Sequence, residues 1–279
     1  MRGEFVDVEG SRLYYYAAGT RGAGEPVLFL HGFPASSHLW RAVVRDLSAC
    51  APGHRLVVVD LLGFGRSDRP LDHSLSATAH ALRLRILMDE LRIDAACVVG
   101  HGMGGAIAQA LACAHADRVT RLCLADSVGF DGWPRAAARL ARWLCVSERL
   151  GTAMGTPLLA SLAHGSLLDG FASADTGRHA LDHYLHAFTR RLGAEALVAQ
   201  LRAMRDPSVA ALGAQLASVR RPTAIVWGER DPFLDIRLAE RLRDAIPGAT
   251  LEIIQGARHF TPVDSPDRVA AAIAGLLLR

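Results

Sequence analysis

Val98-Val99-Gly100-His101-Gly102-Met103-Gly104-Gly105 is the stretch that decides the fold. The apolar run Ala95 to Val99 reads as a buried strand, and the pattern from Ala106 to Ala116 reads as a helix. A glycine-rich turn joins them. Strand, sharp turn and helix form the context of a nucleophile elbow, Gly-x-nucleophile-x-Gly, in which a reactive side chain is held at the tip of a strained turn. Gly100 and Gly104 take the outer positions, and the position between them is Gly102. The chain is organised around a catalytic turn that lacks a nucleophilic side chain.

Working outward, the same rhythm repeats. Glu4 to Val8 and Arg12 to Ala17 flank Glu9-Gly10-Ser11, a hairpin signal. Pro26 to Leu30 is a continuous apolar run feeding His31-Gly32-Phe33-Pro34, and Ser37 opens a helical stretch to about Ala49. Arg55 to Val59 is a further buried-strand run. It ends at Asp60 and the loop Leu61-Leu62-Gly63-Phe64-Gly65-Arg66-Ser67-Asp68. Ser76 to Leu91 has helical spacing, and Val119 to Ala125 is the strand after the elbow helix. Continuous apolar strands alternating with helices imply right-handed βαβ units and a parallel sheet covered on both faces. From Asp131 to about Leu216 no strand-like run occurs. Pro134 to Leu150, Thr176 to Leu192 and Ala194 to Met204 read as helices of an inserted cap. Strands resume at Thr223 to Trp227 and Thr250 to Gln255, and Pro266 to Leu278 reads as a closing amphipathic helix.

Composition narrows the function classes. The 279 residues, 51% of them hydrophobic, can bury a sizeable core. No apolar run is long enough for a membrane span. The start, Met1-Arg2-Gly3-Glu4-Phe5, has no apolar signal core, which leads us to expect a cytosolic protein. All 31 Lys+Arg positions are arginine, and asparagine is absent too, as in a bacterial gene of high GC content. Without lysine there is no Schiff-base amine and no Walker-type phosphate loop. The net charge of +3 is spread along the chain, so no nucleic-acid partner is expected. Five cysteines without a CxxC pair read as reduced, small core residues. The scattered histidines form no HExxH pair, and no metal or other cofactor is expected.

Five motifs in order, each at the end of an expected strand, resemble the α/β-hydrolase superfamily along nearly the whole chain. They are His31-Gly32-Phe33-Pro34, Asp60 with Gly63-Phe64-Gly65-Arg66-Ser67, and Gly100-His101-Gly102-Met103-Gly104-Gly105. Trp227-Gly228-Glu229-Arg230-Asp231-Pro232 and Gly256-Ala257-Arg258-His259-Phe260 complete the set. The resemblance implies a mostly parallel eight-stranded α/β sheet with helices on both faces and a helical cap inserted after the sixth strand. The core would be residues 1–130 and 217–279, the cap residues 131–216. The lidded arrangement resembles the branch with esterases, C–C hydrolases, haloalkane dehalogenases, epoxide hydrolases and cofactor-free lyases. The family's order of nucleophile, acid and histidine maps onto Gly102, Asp231 and His259.

On that mapping His259 is a general base, and Asp231 holds its tautomer and stabilises the imidazolium. The bland readings are one histidine among twelve and an Asp-Pro turn former. Asp126 is a second candidate acid, with a cap or loop role the plainer reading. The backbone N–H groups of Phe33 and Met103 would form an oxyanion hole. His31 and His101 read as structural. Trp133 and His101 are the candidate lining of a largely apolar pocket for a small-molecule substrate, with Trp143, Leu158, Leu159, Phe171, Tyr184 and Phe188 as cap residues.

Gly102 is what stability alone would select in a strained turn. Three readings are therefore open. The chain is an inactivated or natural variant of a hydrolase acting on an ester or related bond; or His259 works without a nucleophile, on water or in a lyase, cyclase or isomerase step; or the protein only binds its ligand.

Overall fold

The computed structural model describes residues 3–19, 24–132, 164–189, 193–203 and 207–279. Its centre is one eight-stranded sheet in the order β1-β2-β4-β3-β5-β6-β7-β8. The strands are β1 (Gly3–Val8), β2 (Ser11–Gly19), β3 (Val27–Leu30), β4 (Arg55–Val59), β5 (Ala96–His101), β6 (Val119–Ala125), β7 (Thr223–Gly228) and β8 (Thr250–Ile254). The β1/β2 and β2/β4 pairs are antiparallel; all the others are parallel. Every residue of β3, β5 and β7 is buried, because helices cover both faces. That is why these strands read as unbroken apolar runs.

The helices are α1 (Arg41–Cys50), α2 (Ala77–Glu90), α3 (Met103–Ala114), α4 (Ala174–His186), α5 (Gly193–Ala203), α6 (Ser208–Gln215), α7 (Ile236–Ala245), α8 (Thr261–Asp264) and α9 (Pro266–Leu277). From β3 the chain crosses by α1 to β4, then returns by α2 past β3 to β5. Right-handed crossovers in opposite directions place α1 and α2 on opposite faces. α1 packs with α9, and α2 with α3. The reversal opens a crevice at the carboxyl ends of β3 and β5, where ligands bind in open α/β sheets. The loops that start at His31 and Gly102 meet there.

α4, α5 and α6 fall between β6 and β7, so a helical insertion does follow the sixth strand. Trp133, Trp143, Leu158, Leu159 and the expected Pro134–Leu150 helix lie outside the described residues. The stretch expected as one helix from Thr176 to Leu192 is instead α4 followed by a tight 3-10 turn, Ala187–Thr189. α6 and α7 fall in stretches where the sequence pattern gives no expected element. In α7 the buried Leu238, Ala239 and Leu242 do stand at helical spacing, behind an Asp235 side chain that caps Arg237 N–H.

Close packing at the elbow explains two of its glycines. A methyl group at Gly104 would collide with the carbonyl oxygens of Leu30 and His31, and one at Gly100 with the carbonyl of Gly104. Backbone atoms cannot swing aside as a flexible side chain can. We expect Gly104→Ala to cost about 1–3 kcal/mol or more, read as a fall of several degrees in thermal midpoint; an unchanged midpoint would contradict this packing.

Candidate active site

Gly102 caps the N-terminus of α3 with φ 53° and ψ −120°, a left-handed conformation that side chains rarely adopt. Its N–H donates to Ala125 O at 3.2 Å, and its carbonyl accepts from Gly105 at 3.1 Å and Val128 at 3.0 Å. The turn is thus fixed on three sides. Unlike Gly100 and Gly104, Gly102 has room. A methyl there would meet only Gly32 Cα at 3.5 Å and His259 Nε2 at 3.8 Å. Room for a side chain remains at this position, and the His259 imidazole faces it.

His259 follows β8 in the loop that leads into α8. Its Nδ1 lies 2.8 Å from Asp231 Oδ2, and both side chains are almost fully buried. Asp231 Oδ1 accepts from the N–H groups of Phe233 at 2.7 Å and Leu234 at 3.0 Å. Those bonds anchor the carboxylate. It in turn fixes the proton on Nδ1 and leaves the Nε2 lone pair facing Gly102. Phe233 and Phe260 wall the imidazole. Phe171, from the insertion, stacks on Phe260 with centroids 4.1 Å apart, and Gly170 O accepts from Phe260 N–H at 3.0 Å. The insertion therefore helps hold the loop that carries His259.

Phe33 leaves β3 in the loop beside the elbow, half-buried, its ring packed edge-on to Phe64. Met103 is the first residue of α3 and is buried. Neither backbone N–H finds an acceptor among the described residues. The Met103 N–H also stands at a helix N-terminus, where the aligned peptide dipoles favour negative charge.

His31 is buried, with Nδ1 on Gly32 O at 2.9 Å and Nε2 accepting from Leu61 N–H at 3.1 Å. It ties two loops together. His101, read both as structural and as a candidate pocket residue, ends β5 with its ring fully buried between Trp40, His259 and Phe260, which fits the structural reading. Its Nε2 donates to the His259 carbonyl at 2.9 Å. Burial, reinforced by His259 alongside, holds its pKa well below the usual imidazole range, so it stays neutral. It supports the His259 loop from behind, a partner that its place beside Gly102 in sequence does not reveal.

Asp126 is not the partner of His259. Its carboxylate is fully buried, accepting from Gly228 N–H at 2.8 Å and from the Thr261 hydroxyl. It links the ends of β6 and β7 to α8. Burial and then the charge of Asp231 push its pKa well above the ordinary carboxylate value. An acid whose pKa is raised on folding loses stability as pH climbs from its unfolded value towards its folded one. Asp126→Asn keeps an acceptor for Gly228 and a donor for Thr261. Its thermal midpoint relative to the parent should therefore rise between pH 5 and pH 8, as thermal melts across that range would read out. A midpoint that falls instead would mean the ionised carboxylate is the stabilising form.

A sequence model of the alpha/beta hydrolase fold matches residues 25–145. Haloalkane dehalogenase 2 of Mycobacterium tuberculosis is 31% identical, the match covering 96% of this chain and 92% of the relative. A 2-hydroxymuconate semialdehyde hydrolase from Pseudomonas sp. is 29% identical over 92% of this chain and 88% of the relative. Among solved structures, a meta-cleavage product hydrolase from Pseudomonas fluorescens superposes with a TM-score of 0.82 at 20% identity, covering 99% of this chain and 97% of the other. A thermophilic esterase from Thermogutta terrifontis gives 0.80 at 25% identity, covering 100% and 98%.

Proposed function

Because the chain belongs to the α/β-hydrolase fold family, we propose that it is a hydrolase acting on an ester or related bond of a small to medium, largely apolar substrate, with water in place of the missing nucleophile. The observation that carries this reading is the pairing of the His259–Asp231 couple with room for a side chain at Gly102, 3.8 Å from Nε2 to the position a Cβ would take. A water taking the place of the hydroxyl gives up its proton to Nε2 as it attacks the substrate carbonyl. The imidazolium is stabilised by Asp231 and returns the proton to the leaving group. Negative charge on the carbonyl oxygen falls to the N–H groups of Phe33 and Met103, which have no competing acceptor among the described residues. Such preorganised donors are typically worth about 3–4 kcal/mol of barrier.

Support for an enzyme over a pure binder comes from what has been kept. A binder gains nothing from a buried Asp–His couple aimed at one glycine, and burying the charge is costly. The test is hydrolysis of a panel of short and medium aryl esters by the native chain in ¹⁸O-water. Turnover that places the label in the acid and vanishes in His259→Ala supports the reading. A ligand recovered unchanged after long incubation would favour binding alone, and a rearranged or eliminated product would favour the nucleophile-free lyase, cyclase or isomerase.

A further inference from the structure

A second cavity, of about 590 Å³, shares no lining residue with the site above. It lies between the start of α1, the Gly65-Arg66 loop and the end of α4. Tyr14, Tyr16, His38, Arg41, Asp60 and Arg66 supply its chemistry, with His183 and His186 from α4.

Three features of this lining, whose Arg41 and Arg66 are both exposed, bear on what it can hold. First, neither the Arg41 nor the Arg66 guanidinium forms an ion pair among the described residues, although arginines nearby do, as Arg45 does with Asp46. Arg66 instead lies over the Tyr14 ring, 4.9 Å from its centroid, with one N–H on the Tyr14 hydroxyl at 3.3 Å. Second, the Tyr16 hydroxyl is buried without a hydrogen-bond partner, on a residue only 8% exposed. A hydroxyl orphaned by burial is costly, and a hydrogen-bonding ligand that reaches it relieves that cost. Third, imidazoles and a guanidinium crowd one another. His38 stacks on His183 with centroids 4.2 Å apart, and burial, His183 and Arg41 together press its pKa down to about 4.

Asp60 also faces the cavity, but both of its oxygens are engaged by backbone, Oδ1 by Ser37 N–H at 2.6 Å and Oδ2 by Arg66 N–H at 2.8 Å. Its carboxylate is spent on holding the loops together. The two guanidiniums remain for an incoming anion.

We propose that this cavity is a binding site for a small organic oxyanion, a carboxylate or phosphate held by Arg41 and Arg66, with the Tyr16 hydroxyl donating to it or to its polar substituent. The volume, within the usual range for small-molecule sites, admits an organic body beyond the anionic group.

Calorimetric titration of the full chain with benzoate, phenyl phosphate, inorganic phosphate and neutral benzamide tests this. Saturable binding of benzoate or phenyl phosphate, with none of benzamide, is expected, and which of the two is tighter separates carboxylate from phosphate recognition. Charged hydrogen bonds of this kind make Arg41→Gln and Arg66→Gln about ten- to a hundredfold weaker binders. Tyr16→Phe, which leaves the packing intact, should bind several-fold more weakly. Arg45→Gln, on the same helix but already paired with Asp46, should bind as the parent does. Bound anion should also lift the His38 titration above its resting value near 4, followed by NMR. Absence of saturable binding by any of the anions up to about 20 mM would overturn the proposal. So would equal losses in Arg41→Gln and Arg45→Gln.

Discussion

Gly102→Ser should turn this chain into an esterase at least about a thousandfold faster on short aryl esters, roughly 4 kcal/mol of barrier, while making it less stable. The two effects have separate causes. A serine Cβ sits 3.8 Å from His259 Nε2, so its hydroxyl, one bond further out, comes within hydrogen-bonding reach of the base. The Asp231–His259 couple then activates a covalent nucleophile in place of a mobile water, and attack becomes intramolecular. The cost is backbone strain. At φ 53° a non-glycine residue loses about 1–3 kcal/mol, and for a chain of this size each kcal/mol lowers the thermal midpoint by about 2–4 °C.

Gly102→Ala separates these contributions, since it carries the strain without the nucleophile. Its midpoint should match that of the serine variant, while only the serine variant releases a burst of phenol and gains the mass of one acyl group. A serine variant no faster than the alanine variant would show that the elbow, base and oxyanion donors are not in register, and the catalytic reading would fall with it.

How much of this was legible in the sequence follows from which interactions are local. β3, β4, β5 and β7 announced themselves because strands covered on both faces must be apolar throughout, and their ends supplied the loops that carry Phe33, Gly102 and Asp231. The expected strand at Ala95 to Val99 stops short. Pairing with β6 continues as far as His101 opposite Ala125, where glycine and histidine give no apolar signal. The couple of Asp231 and His259 was legible only through motif context, since 28 residues separate them. The bond from His101 to the His259 carbonyl spans 158 residues and left no trace. The position of Asp126 was ambiguous for a related reason. Its partners Gly228 and Thr261 lie on distant segments, and an aspartate after a strand looks the same whether it serves a base or a backbone. The Arg41–Arg66 cavity could not be read from the sequence, although Asp60, Gly65 and Arg66 stand in one motif, because the rest of its lining is gathered from β2, α1, α4 and a second loop.

The second large effect is expected at the acid. Asp231→Asn should lower turnover by on the order of 10³–10⁴-fold, about as much as His259→Ala, yet leave the fold intact. The reason lies in the two backbone donors on Oδ1. Phe233 and Leu234 both direct N–H groups at that atom, so the asparagine carbonyl must stay there to satisfy them. The amide nitrogen is then forced to face His259 Nδ1. A nitrogen carrying two protons can only donate, so Nδ1 becomes the acceptor and the imidazole proton moves to Nε2. The base now presents a proton, not a lone pair, to whatever sits over Gly102. All the hydrogen bonds survive with one reversed, so the thermal midpoint should barely change. Asp231→Ala, by contrast, orphans two partly buried N–H groups, at about 1–3 kcal/mol each. Imidazole ¹⁵N shifts would read the tautomer of His259 directly. If Asp231→Asn retains turnover, or loses it with Nδ1 still protonated, Asp231 does not act by orienting the base. In the Gly102→Ser background the same substitution should cancel most of the gain from the new nucleophile, because serine and water draw on the same Nε2 lone pair.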